Sequence, residues 1–245
     1  MRCNEMKKNL IALFDANKLT AMPNEWGFFN EFDHEIKKIG FAVNLVPDTI
    51  IEAHNRNVDY LITHHPMIFK MKIKCEELLK EYNISHAFFH APLDDAIFGN
   101  SRSMANNLGL INCKKAISYE NGYYWGVIGE YPEMIPFEEL QKRVSNIVNE
   151  PLKVYKNNTK LVRKVCINTG GGDAIDKLEE AIENDCDVYI TGGYNLDFLL
   201  YAKYMKISLL IGSHTYTEQL GISNVAILLA LNTKIDTTII KEMNY

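Results

Sequence analysis

The stretch LITHHPMIF, residues 61–69, sets a short apolar run directly against two adjacent histidines and a proline. Tyr60-Leu61-Ile62-Thr63 reads as a buried strand. Pro66 has no N–H to give a sheet ladder, so His64 and His65 are expected in the loop just beyond the strand. Adjacent side chains on an extended backbone diverge, so the pair is expected to serve two neighbouring metal ions rather than to close on one. A two-histidine motif is also an ordinary way to end a strand, and its meaning depends on partners elsewhere in the chain.

Working outward from this strand, the same alternation repeats. Ile39 to Leu45 is strand-like, Pro47-Asp48 opens a helix reaching about Arg56, and Cys75 to Tyr82 reads as helix. Ser85 to Phe89 is the next strand, followed by a helix from Phe98 to Leu108 that Gly109 ends. The residues before it form an amphipathic first helix near the N-terminus and an unassigned stretch, 24–35, containing Glu25, Trp26 and Gly27. Beyond residue 115, Asn121-Gly122 signals a turn into an aromatic strand, and Phe137 to Val148 is helical. Alternation then resumes with strands at 165–168, 188–191 and 208–212, helices from Asp173 and over 196–205, a closing helix over 217–231 and a last strand at 235–240. The expected class is α/β, with two similar units of mostly parallel or mixed sheets: 1–115 with 216–245, and 116–215.

A chain of 245 residues with 47% hydrophobic and 23% charged residues has the composition of a globular protein with an ample core. Its formal net charge of -5 argues against a nucleic-acid-binding surface, because displacing counterions takes a basic footprint. The lysines at 70, 72 and 74 and the basic stretch 153–164 read as solvated faces. The short apolar run near the N-terminus is broken by Asp15, and no stretch reaches the roughly 18 apolar residues a membrane span needs, which places the chain in the cytoplasm. Five scattered cysteines without CxxC spacing suit reduced structural thiols.

Parallel sheets present ligands beyond the carboxyl ends of their strands. After one predicted strand stand His64 and His65; after another stands His90-Ala91-Pro92-Leu93-Asp94; after the last strand of the second unit stands His214, with Glu218 four residues on. Imidazoles and carboxylates drawn from several strand ends suit two borderline divalent ions, which imidazole and carboxylate do not discriminate among Zn, Fe, Mn, Ni and Co. Each member has a plainer reading: Thr215-x-x-Glu218 as a capping box, Asp94 as a helix N-cap, His90 as a hydrogen-bonded histidine at a core edge. His34, His54 and His86 read as structural. Gly170-Gly171-Gly172 reads as a tight strand-to-helix turn in preference to a phosphate cradle, since it has no P-loop lysine.

THHPMIF, HAPLD followed by Gly99-Asn100, CINTGGGDAI, DVYITGG and SHTYTEQLG together resemble, in order and spacing, the Ngg-interacting-factor-like family, whose bacterial members are labelled GTP cyclohydrolase I type 2 homologues. The resemblance implies a dinuclear metal centre at strand ends between two α/β halves, held here by His64, His65, Asp94, His214 and Glu218. It also implies a homohexameric ring, and a role for His90 beside the metals rather than on them. The chain departs from the family pattern in two places. The Glu25-Trp26-Gly27 region differs, and the family's TGE turn is Thr191-Gly192-Gly193 followed by Tyr194 and Asn195. No room exists for the domain inserted in longer members.

The expected activity is hydrolysis of a small nucleotide-like substrate through a metal-bridging hydroxide, with His90, Asp94 and Glu218 as the catalytic groups. The alternative is a metal-binding oligomeric scaffold or regulatory protein without turnover.

Overall fold

The computed structural model describes residues 1–244 and divides into two compact units, Met1–Phe98 with Gly221–Met243, and Gly99–Leu220 with the C-terminal residues from Asn244. In chain order the elements are α1 (Cys3–Phe14), α2 (Ala16–Ala21), β1 (Trp26–Phe29), β2 (Lys38–Ala42), α3 (Pro47–Asn55), β3 (Tyr60–Thr63), α4 (Lys72–Glu81), β4 (Ser85–Phe89) and α5 (Ala91–Asp95). There follow α6 (Asn100–Asn107), β5 (Ile111–Ser118), β6 (Tyr124–Ile135), α7 (Phe137–Val148), β7 (Lys153–Tyr155), β8 (Val162–Asn168), α8 (Ile175–Glu183) and β9 (Val188–Thr191). The chain closes with α9 (Leu196–Tyr204), β10 (Ser208–Ile211), α10 (His214–Thr233) and β11 (Asp236–Ile239).

The first unit is built on a five-stranded sheet ordered β1-β4-β3-β2-β11. β11, β2, β3 and β4 run parallel, and β1 lies antiparallel along the β4 edge. Its central strands, β2, β3 and β4, are buried on both sides, which is why Tyr60 to Thr63 has no polar alternation. On one face Ile39, Phe41, Ile62 and Phe89 pack against α1, α2 and the Ile222–Leu229 part of α10. On the other, Ala42 and Leu61 meet Ile50 and Ala53 of α3 and Cys75, Leu78 and Leu79 of α4. The stretch 24–35, which lacked a readable period, contains β1. Its pairing is a property of the β4 edge (Trp26 opposite Phe89, Phe29 opposite His86), and a four-residue strand carries too few alternations to announce itself.

The second unit has a mixed six-stranded sheet ordered β5-β6-β8-β9-β10-β7. Only β8, β9 and β10 are mutually parallel; β5, β6 and β7 pair antiparallel. One face packs on α6 and α7 through Met104, Leu140 and Val144, the other on α8 and α9 through Leu178, Ala181, Phe198 and Ala202. Residues 99–115, expected in the first unit, lie in the second: Ile111 to Ser118 pairs with β6, and α6 packs on that sheet. The return to the first unit falls at Leu220/Gly221, inside α10, rather than at residue 216.

No helix among the described residues is long and apolar enough to cross a membrane.

Candidate metal centre

In the first unit the histidines come together. The parallel ladder of β2 and β3 persists past the strand, with His64 N–H donating to Ala42 O (3.2 Å) and His65 N–H to Val43 O (2.8 Å). The backbone then bends, and the two rings, instead of diverging as an extended chain would make them, approach to 4.7 Å between centroids. His90, just beyond β4, brings its ring to 5.0 Å from His64 and 5.4 Å from His65. One ring nitrogen from each of the three lies within 4.8 Å of the other two. This corrects the expectation of divergent side chains: the bend at residues 64–65 overrides the two-residue alternation of the strand. Asp94 joins them, its Oδ2 3.6 Å from His64 Nε2.

Each imidazole is fixed through Nδ1. His64 Nδ1–H donates to Phe89 O (3.1 Å), His65 Nδ1–H to Asn44 Oδ1 (2.9 Å), and His90 Nδ1–H to Glu25 Oε2 (2.6 Å). Since these acceptors have no proton to give, the Nδ1–H tautomer is set and the Nε2 lone pair is left for a ligand. Behind His65 lies a second layer. Asn44 is held by Glu242, which accepts from Asn44 Nδ2 (2.9 Å), Asn44 N (2.9 Å) and Val43 N (2.5 Å). Thr63 Oγ1–H donates to His65 O (2.7 Å) and in turn accepts from His86 Nε2 (2.9 Å). Glu25, Asn44 and Glu242 escaped the sequence reading. Glu25 is set beside His90 by the β1–β4 register, which also joins His90 N–H to Glu25 O at 2.8 Å, and no local motif marks such long-range pairs.

Asp94 lies inside α5 rather than at an N-cap; the cap position of α6 is Gly99. The helix-capping account of this carboxylate therefore falls away. Its neighbour Asp95 is occupied by Lys18 Nζ at 3.2 Å.

In the second unit His214 opens α10 and Glu218 follows one turn later, with His214 Nε2 3.2 Å from Glu218 Oε2. The capping-box reading of Thr215 and Glu218 does not hold either. Ser213 is the capping residue, its Oγ accepting from Tyr216 N (3.3 Å). Glu150 Oε1 takes the Ser213 N–H (2.6 Å) and hydroxyl (2.9 Å), the part a capping-box glutamate would play. Glu218 is buried.

The glycine turn explains how that pair is approached. Gly170, at φ +65°, comes so close that a Cβ there would overlap the Glu218 carboxylate and lie 3.0 Å from His214 Nε2. Its N–H donates to Thr217 Oγ1 (3.0 Å), and its carbonyl accepts from Gly172 N and Gly192 N. The turn reading is therefore right in kind, but α8 begins only at Ile175, two residues later than expected.

The histidines read as structural are so placed. His86 is fully buried, and burial lowers its pKa to about 3. His54 stacks on Tyr82, and His34 Nε2 contacts Asp59 O at 3.2 Å.

Fold and site define a two-unit α/β protein with His/Asp/Glu groups able to bind metal. The DUF34/NIF3 (NGG1p interacting factor 3) family matches residues 1–244, and the chain belongs to that family. Curated relatives include a "GTP cyclohydrolase 1 type 2 homolog" of Borreliella burgdorferi, 25% identical and covering 91% of this chain and 90% of that protein. One of the same name from Pyrococcus abyssi is 30% identical over 78% of this chain and 79% of its own. Among solved structures, reduced HcgD from Methanocaldococcus jannaschii superimposes with a TM-score of 0.86 at 23% identity, covering 99% of this chain and 98% of that one. A Bacillus cereus protein related to NIF3 does so with 0.81 at 15%, covering 100% and 97%. At those identities the structures speak for the fold.

Proposed function

We propose that the protein is a dinuclear metal-dependent hydrolase acting on a nucleotide-like substrate. His64, His65 and Asp94 of the first unit and His214 and Glu218 of the second serve as ligands of two divalent ions from the set Zn, Fe, Mn, Ni and Co. The observation that carries this reading is the set of three gathered imidazoles whose Nδ1–H groups are already used, leaving the Nε2 of His64 and His65 for an ion and that of His90 for a proton. The donors fit such a group: neutral nitrogens beside buried carboxylates, with outer hydrogen bonds that fix each ring. The glycine turn at residue 170, where any side chain would strike Glu218 and His214, leaves that pair its place.

Bound ions would polarise a carbonyl or phosphoryl oxygen and acidify a water to near neutral pH. His90 accepts and returns the proton at Nε2 while Glu25, on its Nδ1, steadies the imidazolium. The relatives' name favours a purine nucleotide with a hydrolysable ring bond, and a phosphoester is the other suitable electrophile. Self-association is favoured by large apolar side chains left exposed, among them Phe69, Ile73, Leu196, Leu200 and Tyr204, and the count of six comes from the family resemblance. All five cysteines are free thiols, which suits the cytoplasm.

The test is metal content per chain on protein purified without chelator, in the parent and in His64→Ala, Asp94→Ala and Glu218→Ala, followed by GTP and phosphoester turnover. Two equivalents in the parent that drop in each variant, with turnover lost alongside, are expected. A parent that takes up no Zn, Mn or Fe(II) on reconstitution would overturn the proposal. Metal uptake without turnover would favour the scaffold reading.

A further inference from the structure

A cleft of about 500 Å³ opens in the second unit at the carboxyl ends of β9 and β10, lined by Glu150, Lys153, Gly192, Tyr194 and Ser213 among others. Its volume falls in the range of small-molecule sites, about 300–1,000 Å³. Strand ends in a parallel array are where such sites form, and β9 and β10 run parallel up to Thr191 and Ile211. The cleft borders the helix that carries the candidate ligands: Ser213 immediately precedes His214, and a Cβ on Gly192 would lie 2.9 Å from His214 Cα.

Two side chains give this cleft a chemical preference. Lys153 Nζ stands 4.8 Å from the centre of the Tyr194 ring, and its interaction with the Tyr194 hydroxyl raises its pKa. Tyr194 is 45% exposed, a large aromatic side chain open to solvent with a cation over its ring. Its neighbour Asn195 is occupied structurally, capping α9 through Phe198 N–H (3.0 Å) and donating to Asp173 O (2.8 Å). Glu150 is the opposing charge in the cleft, but its Oε1 is committed to the Ser213 N–H and hydroxyl and its Oε2 accepts from Asn244 Nδ2 at 3.4 Å. Gly192 and Gly212 leave the walls without side chains: a Cβ on Gly192 would meet Thr217 Oγ1 at 2.5 Å and the His214 backbone at 2.9 Å, and one on Gly212 would press on Glu150 Oε1 at 3.1 Å.

We infer that this cleft is a substrate subsite for a planar ring bearing an anionic group, of mononucleotide size, with Tyr194 stacking the ring and Lys153 pairing with the anion. The inference rests on the nucleotide reading above and deepens it. It assigns the recognition of substrate to the very turn where the chain departs from its family's TGE sequence, and gives Lys153, otherwise one of a run of surface lysines, a task of its own. An ammonium and an aromatic face together reward a ligand that carries both charge and ring, and neither half alone.

The experiment is equilibrium dialysis of GMP, guanosine and inorganic phosphate against the purified protein, with metal content measured on the same samples. GMP is expected to saturate one site per chain. Lys153→Ala should weaken GMP at least tenfold with Lys153→Arg restoring most of it, and Tyr194→Ala should weaken it about tenfold with Tyr194→Phe staying within about threefold. Guanosine should bind more weakly than GMP and ignore Lys153. Metal content and melting temperature should not move in any variant. Absence of saturable GMP binding, or equal GMP affinity in parent, Lys153→Ala and Tyr194→Ala, overturns the inference. Its failure is distinct from that of the metal reading: nucleotide binding sensitive to Lys153 in a chain that takes up no metal leaves the subsite standing and removes the hydrolase.

Discussion

The two units present their candidate metal-binding side chains by different means. In the first, three imidazoles stand on two bends, His64 and His65 beyond β3 and His90 beyond β4, and each ring is held by a long-range partner: Phe89 O, Asn44 and Glu25. In the second, His214 and Glu218 sit one turn apart on a single helix, where i and i+4 side chains meet as a matter of helix geometry. A helix needs no distant hydrogen bond to aim its pair, only a secured first turn and space above it. Bends have no such periodicity, so convergence there is purchased with a layer of outer contacts. The first arrangement should therefore be sensitive to polar substitutions behind the rings, and the second to steric ones above the helix.

The largest effect expected is steric and falls on the second unit. Gly170→Ala places a methyl in the Glu218 carboxylate at a backbone φ that disfavours alanine, and should cost about 2–3 kcal/mol in urea unfolding and on the order of a hundredfold in metal affinity. Unchanged metal binding would mean that Glu218 has room to retreat and that the second unit is not the sterically sensitive one. Next come the outer contacts of the first unit. Asn44→Ala, and Glu242→Gln less severely, should weaken metal binding about 10- to 100-fold without unfolding the chain, as read by competition with a chromogenic chelator.

A third expectation concerns His86, which props the Thr63 hydroxyl beneath His65. Its pKa is lowered by burial to about 3 from 6.5, so the unfolded chain takes up a proton that the folded chain refuses. Its contribution is thus complete above pH 6.5 and is lost as pH falls toward 3. The parent should lose stability relative to His86→Gln by up to about 1.4 kcal/mol per pH unit across that window, measured by urea titration at pH 6.5 and 5.5. Parallel curves would show that His86 titrates normally. The smallest effect is at the start of α10: Ser213→Ala should cost about 1 kcal/mol through loss of the cap. A comparable loss of metal in this variant would show that the helix needs its cap to aim His214.

Much of this was legible from residue order. Apolar runs ended by His64-His65, His90 and His214 placed the candidate donors beyond strand ends, because strand length and proline are local properties. Less was legible where a short element depends on its neighbour. β1 is such a case, four residues whose strand character comes from the β4 edge, and the pairing of Glu25 with His90 depends on it. The capping motif at Thr215 was a local pattern true to type but one helical start out of place; Ser213 and Glu150, 63 residues apart, decide it.

By itself the sequence determined the alternation of strand and helix, the α/β class, the family and the residue types offered at each strand end, since all of these follow from periodicity and from motifs within a few residues. Only the tertiary structure decided which ring nitrogen each histidine leaves open, that His64 and His65 converge, that Glu25, Asn44 and Glu242 stand behind the rings, and that Lys153 and Tyr194 share a cleft. Apart from the local bend at His64 and His65, those are contacts between segments about twenty to nearly two hundred residues apart, set by sheet order and register, and no local pattern in a chain records the distance between its ends.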